Sequence, residues 1–239
     1  MNKQEFYREK YRLLNPEWRN SLIIYRDLIA TNTEPGTAIL DIGCGHADFL
    51  EKVYIKSGLA FGIDPDKQAL LKNVSIPYCV VGFGGHIPFK DNTFDLVLAA
   101  WVLEHVDKPD DIAKEVYRVL KPGGKFIFLT TNIWNYNVWI IRAIPNAFHG
   151  LLVKKLYKRV EEDTYPVAYK FNSPKKIDRI LNQVGLKKEA LILNGDPSYI
   201  SFNDLLFLLA RIVERVLSTS LFKFARVHII GIYQKTQGQ

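Results

Sequence analysis

A chain of 239 residues has room for one large α/β domain with insertions, or for two small domains, and 48% hydrophobic with 24% charged residues excludes a disordered polymer. The formal net charge of +7 is unevenly placed: residues 1–132 hold 16 Lys+Arg against 17 Asp+Glu, whereas residues 133–239 hold 16 against 8. That asymmetry points to an anionic substrate or a membrane surface as a partner of the second half, or to a basic face that only aids solubility; with large apolar patches among the bases and no recognisable nucleic-acid module, nucleic acid is disfavoured. The charged start MNKQEFYREKYR lacks the apolar segment of a secretory signal, and no stretch is long and apolar enough to span a bilayer. A cytoplasmic protein is expected, with peripheral membrane contact left open. Cys44 and Cys79 have no CxxC spacing and read as free thiols of a reducing compartment.

Residues 3–31 carry apolar groups at helical spacing, broken at Asn15 and Pro16, which predicts two helices ahead of the first strand. Pro35 and Gly36 form a turn. The apolar run Ala38, Ile39, Leu40 and Ile42 then suits a buried parallel strand, and Gly43 and Gly45 mark a tight turn where a ligand can approach the backbone. A helix starting near Ala47 would aim its free N–H groups at an anionic group over that turn. Leu59–Ile63 reads as a second strand ending at Asp64. A carboxylate about 20 residues past a glycine turn is placed to accept from ribose hydroxyls; the alternative makes Asp64 the N-cap of a helix entered at Pro65.

A third strand over Ile76–Val81 precedes the glycine-rich VGFGGHIPF, and a fourth over Phe94–Ala100 precedes Trp101, Glu104 and His105. Asp110–Leu120 is an amphipathic helix with Ile112, Val116, Val119 and Leu120 on one face, ended by Lys121, Pro122, Gly123 and Gly124 before a fifth strand, Lys125–Leu129. Repeated strand then helix predicts a doubly wound parallel sheet.

Four segments, ILDIGCGHADF, GIDPD, HIPFKDNTFDLVLAAWVLEHV and RVLKPGGKFIFLTT, occur in this order and spacing over roughly residues 36–132. Together they resemble the class I S-adenosylmethionine-dependent methyltransferases of type 11. The resemblance implies an α/β, doubly wound, seven-stranded, mostly parallel sheet (a Rossmann-like methyltransferase fold) with helical insertions. It implies one domain: N-terminal helices over 1–35, a cofactor-binding core over 36–132, and cap insertions over 133–165 and 198–225. Strands six and seven are sought at Leu186–Leu193, after a helix capped by Ser173 and opened by Pro174, and at Val227–Tyr233. Transfer of a methyl group to a small-molecule or lipid-linked acceptor, at oxygen or carbon, is the implied activity. The alternative is a non-catalytic module of the same fold that binds a membrane or partner through its basic, aromatic second half. A nicotinamide-dependent oxidoreductase is disfavoured, because its fingerprint needs a glycine where this chain has Asp48.

For S-adenosylmethionine the resemblance implies that Gly43 and Gly45 meet the methionine carboxylate, that Asp41 and the Ala99 carbonyl receive the ammonium, and that Asp64 takes the ribose; Cys44 and Pro65 belong to the same lining. Relatives often place a carboxylate for the adenine amino group where this chain has Phe83 or Gly84. Phe83 can stack on adenine with the Gly84 N–H serving a ring nitrogen, at a loss of about 1 kcal/mol, or about tenfold in binding. No metal is implied. His105 is the candidate general base, with bracing of the next helix as its structural reading. Trp101 either lines the methyl pocket or fills the core, and Tyr7 and Tyr11 form a lid or a helical core. The cluster Lys154, Lys155, Lys158 and Arg159 suits phosphate or anionic lipid, or is a solvated face. The apolar helix over 205–225, with Arg211, Glu214, Arg215 and Ser218 as a narrow polar stripe, needs cover, most simply from its own fold.

Overall fold

The computed structural model describes residues 3–46, 48–136 and 167–236. The elements run α1 (Lys3–Leu14), α2 (Ser21–Thr31), β1 (Ala38–Ile42), α3 (Glu51–Ser57), β2 (Leu59–Asp64), α4 (Lys67–Lys72), β3 (Tyr78–Val81), β4 (Phe94–Ala100), α5 (Pro109–Val119) and β5 (Leu120–Thr131). They continue with α6 (Pro174–Gln183), β6 (Leu186–Asn194), α7 (Asp204–Leu217) and β7 (His228–Lys235). The seven strands form one sheet in the order β3-β2-β1-β4-β5-β7-β6, with β7 antiparallel to both neighbours. The order reverses between β1 and β4, and in such sheets ligands bind beyond the carboxyl ends of the strands at that switch point.

Strand side chains alternate between two apolar layers. Leu40, Ile42, Val97, Phe126 and Phe128 pack with Ile112 and Val116 of α5 and Ile177 and Leu181 of α6. Ile39, Leu96, Leu98 and Ile127 pack on the other face with Tyr25 and Ile29 of α2 and Val53 and Tyr54 of α3. Both faces of the central strands β1, β4 and β5 are thus covered, which is why they read as apolar runs.

Several boundaries differ from the sequence reading. The helix after the glycine turn begins at Glu51, not near Ala47, so its N-terminus stands off the turn; Ala47 lies outside the described residues. Asp66, not Asp64, caps α4, accepting from the N–H groups of Gln68 and Ala69. The third strand begins at Tyr78, with Ile76 buried ahead of it. KPGG belongs to β5 rather than to a helix end: Leu120 already pairs with Phe94, and the ladder resumes at Leu96–Lys125 after a bulge. Gly124 is required there, because a Cβ would lie 2.9 Å from the Lys121 carbonyl oxygen and 3.1 Å from that of Asp95. Ser173 precedes α6 without a side-chain cap bond.

Of the two regions expected as a cap, residues 198–225 contain the helix α7 (Asp204–Leu217) and a short 3-10 turn at Lys223–Ala225. Within the first, the basic cluster Lys154 to Arg159 lies outside the described residues. Tyr7 is buried and stacks on Phe207 of α7 at 5.2 Å, so it packs between helices, and Tyr11 meets Trp18 of the link between α1 and α2 edge-on at 5.2 Å.

Candidate functional site

The carboxyl ends of β1, β2 and β4 converge on the glycine turn. Gly43 has φ +70°, and a Cβ there would run into Val102 Cγ2, so the turn and the segment after β4 touch only because residue 43 lacks a side chain. The turn's N–H groups are directed inward: Gly43 donates to the Ile63 carbonyl at 2.7 Å, and Gly45 to Asp64 Oδ2 at 2.9 Å. What the turn offers a ligand is close approach to the backbone, rather than the free donors expected from the sequence.

Asp64 ends β2 and is buried. Its Oδ2 holds the Gly45 N–H and its Oδ1 the Asp66 N–H at 2.8 Å. Each carboxylate oxygen accepts two hydrogen bonds, so each keeps one acceptor position for a pair of hydroxyls. Pro65 beside it is exposed.

Asp41 is buried in β1 and accepts a 2.5 Å hydrogen bond from Tyr54 OH of α3. Burial raises its pKa to about 6; the Tyr54 bond opposes the shift and the Asp64 charge adds to it. A buried carboxylate beside another carboxylate is a site of negative potential suited to an ammonium group. Cys44 turns away from the turn: its Sγ would lie 2.6 Å from a Cβ on Gly62, with Cys79 Sγ 3.2 Å from the same point. Both cysteines are free, and burial raises both thiols, which makes them inert packing groups.

Gly84 fits between Ile42 and Ile112, whose side-chain atoms would lie 3.1 and 2.7 Å from an added Cβ. Phe83, by contrast, is 70% exposed at the sheet's β3 edge. Ala99 is fully buried, paired with Ile42 and Phe128.

After β4 the chain turns at Trp101, whose φ of 58° is unusual for a bulky residue. Its N–H donates to the Leu129 carbonyl at 2.8 Å and its ring meets His228 at 4.9 Å, which places it with the core-side packing of the second half. Glu104 is buried, and burial raises its pKa against the Thr130 hydroxyl that donates to Oε2 at 2.7 Å. Its carbonyl accepts from the N–H groups of Ala168 and Tyr169, so Glu104 ties the turn to β5 and to the segment ahead of α6. His105 is half-buried one residue further on, its N–H donating to the Val102 carbonyl at 2.9 Å.

A second polar group at the same sheet edge was not anticipated. His228 begins β7 with both ring nitrogens engaged, Nδ1 with Ser21 Oγ at 2.9 Å and Nε2 with Tyr199 OH at 3.0 Å; burial lowers its pKa to about 4 and keeps it neutral. Arg8 of α1 pairs with Asp196 at 3.0 Å and donates to Ser198 Oγ. Glu214 turns inward from α7 onto Gly195, where any Cβ would collide with its carboxylate, and its Oε1 has no hydrogen-bond partner. Burial, then Asp196, raises its pKa to about 7. Asn172, next to the end of β5, has neither amide atom paired, although its carbonyl accepts from the Ile133 N–H at 2.9 Å. Apart from Glu214, read in the sequence only as part of a polar stripe, nothing in the local sequence marks these residues, because their partners lie far away along the chain. Among the described residues no cluster of His, Cys, Asp or Glu could hold a metal ion.

Residues 40–128 match the family model described as a methyltransferase domain. A demethylmenaquinone methyltransferase of Geobacillus sp. (strain WCH70) is 36% identical over 115 residues, 42% of this chain and 48% of the relative, so the chain spans about half the length of that relative. The enzyme of the same name from Lysinibacillus sphaericus (strain C3-41) is 30% identical over 189 residues, covering 72% of this chain and 76% of the relative. Among solved structures, the geranyl diphosphate C-methyltransferase of Streptomyces coelicolor A3(2), in complex with Mg2+, geranyl diphosphate and S-adenosyl-L-homocysteine, superposes with a TM-score of 0.57 at 13% identity, covering 90% of this chain and 77% of that one. With the sheet order and the turn described above, these matches place the chain in the class I S-adenosylmethionine-dependent methyltransferase family.

Proposed function

We propose that this chain transfers the methyl group of S-adenosylmethionine to a small-molecule acceptor of quinol, phenol or isoprenoid type. The observation that carries the reading is Asp64: a buried carboxylate beside a turn whose residues 43 and 45 lack side chains, with one acceptor position left on each oxygen. In this reading Asp64 binds the two ribose hydroxyls, and Asp41 with the Ala99 carbonyl attracts the ammonium. Gly43, Cys44 and Gly45 let the methionine end lie against the backbone, while Pro65, Phe83 and Gly84 border the adenine. The cofactor, when bound, supplies an electrophilic methyl group on sulfonium sulfur. The protein's remaining task is alignment of the acceptor, which can contribute about 7–11 kcal/mol.

His105 is then the group that takes a proton from a hydroxyl acceptor, held in place because Glu104 anchors the turn to Thr130. The unpaired Asn172 amide near the end of β5 supports an acceptor with a polar group. The relatives named for demethylmenaquinone support a ring acceptor carrying an isoprenoid tail. A second reading, a non-catalytic module, draws on the exposed Phe83, where the family resemblance implies a carboxylate.

Methyl-labelled S-adenosylmethionine incubated with reduced demethylmenaquinone, simple phenols and isoprenoid diphosphates tests both. Label should pass to at least one acceptor, and His105→Ala should slow that turnover by about 10²–10⁴-fold for a hydroxyl acceptor while cofactor affinity holds. Cofactor binding without transfer to any of the three would favour the module. Unchanged turnover in His105→Ala would return the histidine to a structural role.

A further inference from the structure

The helix α7 exposes the wrong side for a soluble surface. Phe207, Ala210, Glu214 and Leu217 face the protein, while Leu205, Leu208, Leu209, Ile212 and Val216 are between 45 and 67% exposed. Their spacing of three and four residues puts all five on one helix face. The sequence suggested that the protein's own fold would cover this helix; instead Glu214 of its polar stripe is buried and the apolar residues are bare.

The patch continues onto neighbouring elements. Leu221, Phe222 and Phe224 are exposed around the short 3-10 turn that follows α7. On the other flank α1 is joined to α7 by the Tyr7–Phe207 stack and by the Lys10–Asp204 ion pair at 2.7 Å, and its Leu13 and Leu14 are exposed. Exposed apolar area of this extent marks an interaction site.

Charge and length identify the occupant. From Asp204 to Ala225 the charged residues are Asp204, Arg211, Glu214, Arg215 and Lys223; Asp204 is paired with Lys10 and Glu214 is buried, so the charges left along this stretch for a partner are cations. An apolar helix face whose remaining unneutralised charges are cationic matches the interface of an anionic lipid bilayer, where leucine and phenylalanine enter the acyl boundary and arginine and lysine meet phosphates. At 14 residues α7 is about 21 Å long, too short to cross a bilayer, so it would lie in the plane of the surface. No helix among the described residues is long and apolar enough to cross a membrane.

We infer that the joined face of α1, α7 and the turn at Lys223–Ala225 docks this protein peripherally on an anionic membrane. Because α7 connects the carboxyl end of β6 to the start of β7, the docked face lies at the sheet edge that carries the candidate site. Docking requires no methyl transfer, so it stands or fails separately from the proposed activity.

The test is co-sedimentation of the full chain with vesicles of phosphatidylcholine alone and of equal parts phosphatidylcholine and phosphatidylglycerol. The wild type should pellet with the mixed vesicles only, and less so as salt rises. Leu208→Glu combined with Ile212→Glu, both on the exposed face, should weaken binding by about tenfold or more at unchanged thermal stability. Arg215→Glu combined with Lys223→Glu should weaken it too while leaving the apolar face intact. Failure of the wild type to bind mixed vesicles would overturn the inference, as would equal binding by the Leu208/Ile212 variant. Self-association in sedimentation velocity, abolished by that variant and unaccompanied by vesicle binding, would assign the face to a second copy instead.

Discussion

Gly43 and Gly36 share a left-handed φ, +70° and +87°, and differ in their surroundings: a Cβ on Gly43 meets Val102, whereas one on Gly36 meets nothing within 4 Å. Gly36→Ala should therefore cost about 1–2 kcal/mol of stability, the backbone term alone, and Gly43→Ala about 2–4 kcal/mol, with cofactor binding impaired because the turn and Val102 must separate. Paired denaturant titrations read the difference. Glu214 supplies a pH test. Its folded-state pKa of about 7 lies above the ordinary 4.5, so its stabilising contribution is complete below pH 4.5 and is lost as pH rises through about 7. Glu214→Gln removes that loss. Its stability relative to wild type should rise over that window by on the order of 3 kcal/mol, and a flat difference would show that the carboxyl is not held near neutral. His228 acts in the opposite sense: its pKa falls from 6.5 to about 4, so the fold loses stability as pH drops through that range. Asp41, Gly43 and Asp64 were legible in the sequence as candidates because one short strand–turn–helix–strand segment places them. Tyr54, Asn172 and His228 were not, and Glu214 stood out only as part of a polar stripe, because a hydroxyl on a helix or a histidine in a strand signals nothing until folding supplies its partner.

At the scale of elements, α5 holds the loop between β3 and β4 in place. Arg118 donates to the Ile87 and Phe89 carbonyls at 2.8 and 2.7 Å and to Asp91 and Glu115, and Glu115 accepts the Ile87 N–H at 2.7 Å. The loop carries Gly84, which fits against Ile42 at the end of β1, so this clamp fixes one wall of the candidate site. Arg118→Ala should cost about 1–3 kcal/mol and speed hydrogen exchange in residues 83–91. Arg118→Lys should not restore it, since a single ammonium cannot reach carbonyls and carboxylates on both sides. The sequence announced α5 by its apolar spacing, but not the clamp, which joins residues 31 positions apart. Likewise KPGG reads locally as a helix stop, and only pairing with β4 draws it into β5.

Across the whole molecule, four sequence segments sufficed for the core because each carries a strand or a strand end with its adjoining turn, and the order of such strands defines a doubly wound sheet. The antiparallel β7 followed from the resemblance rather than from any local pattern. The second half departs furthest from expectation: its basic charge borders an exposed apolar helix, and its buried acid and histidine face the same sheet edge as the glycine turn. All of this centres on Asp64 as the anchor of a ribose at the end of β2. Calorimetric titration of S-adenosylmethionine into the wild-type chain and into Asp64→Ala tests that role most directly. The wild type should bind at one site, and Asp64→Ala should lose about tenfold to a hundredfold in affinity with its thermal unfolding still cooperative. A flat wild-type titration, or equal affinity in the two proteins, would contradict it.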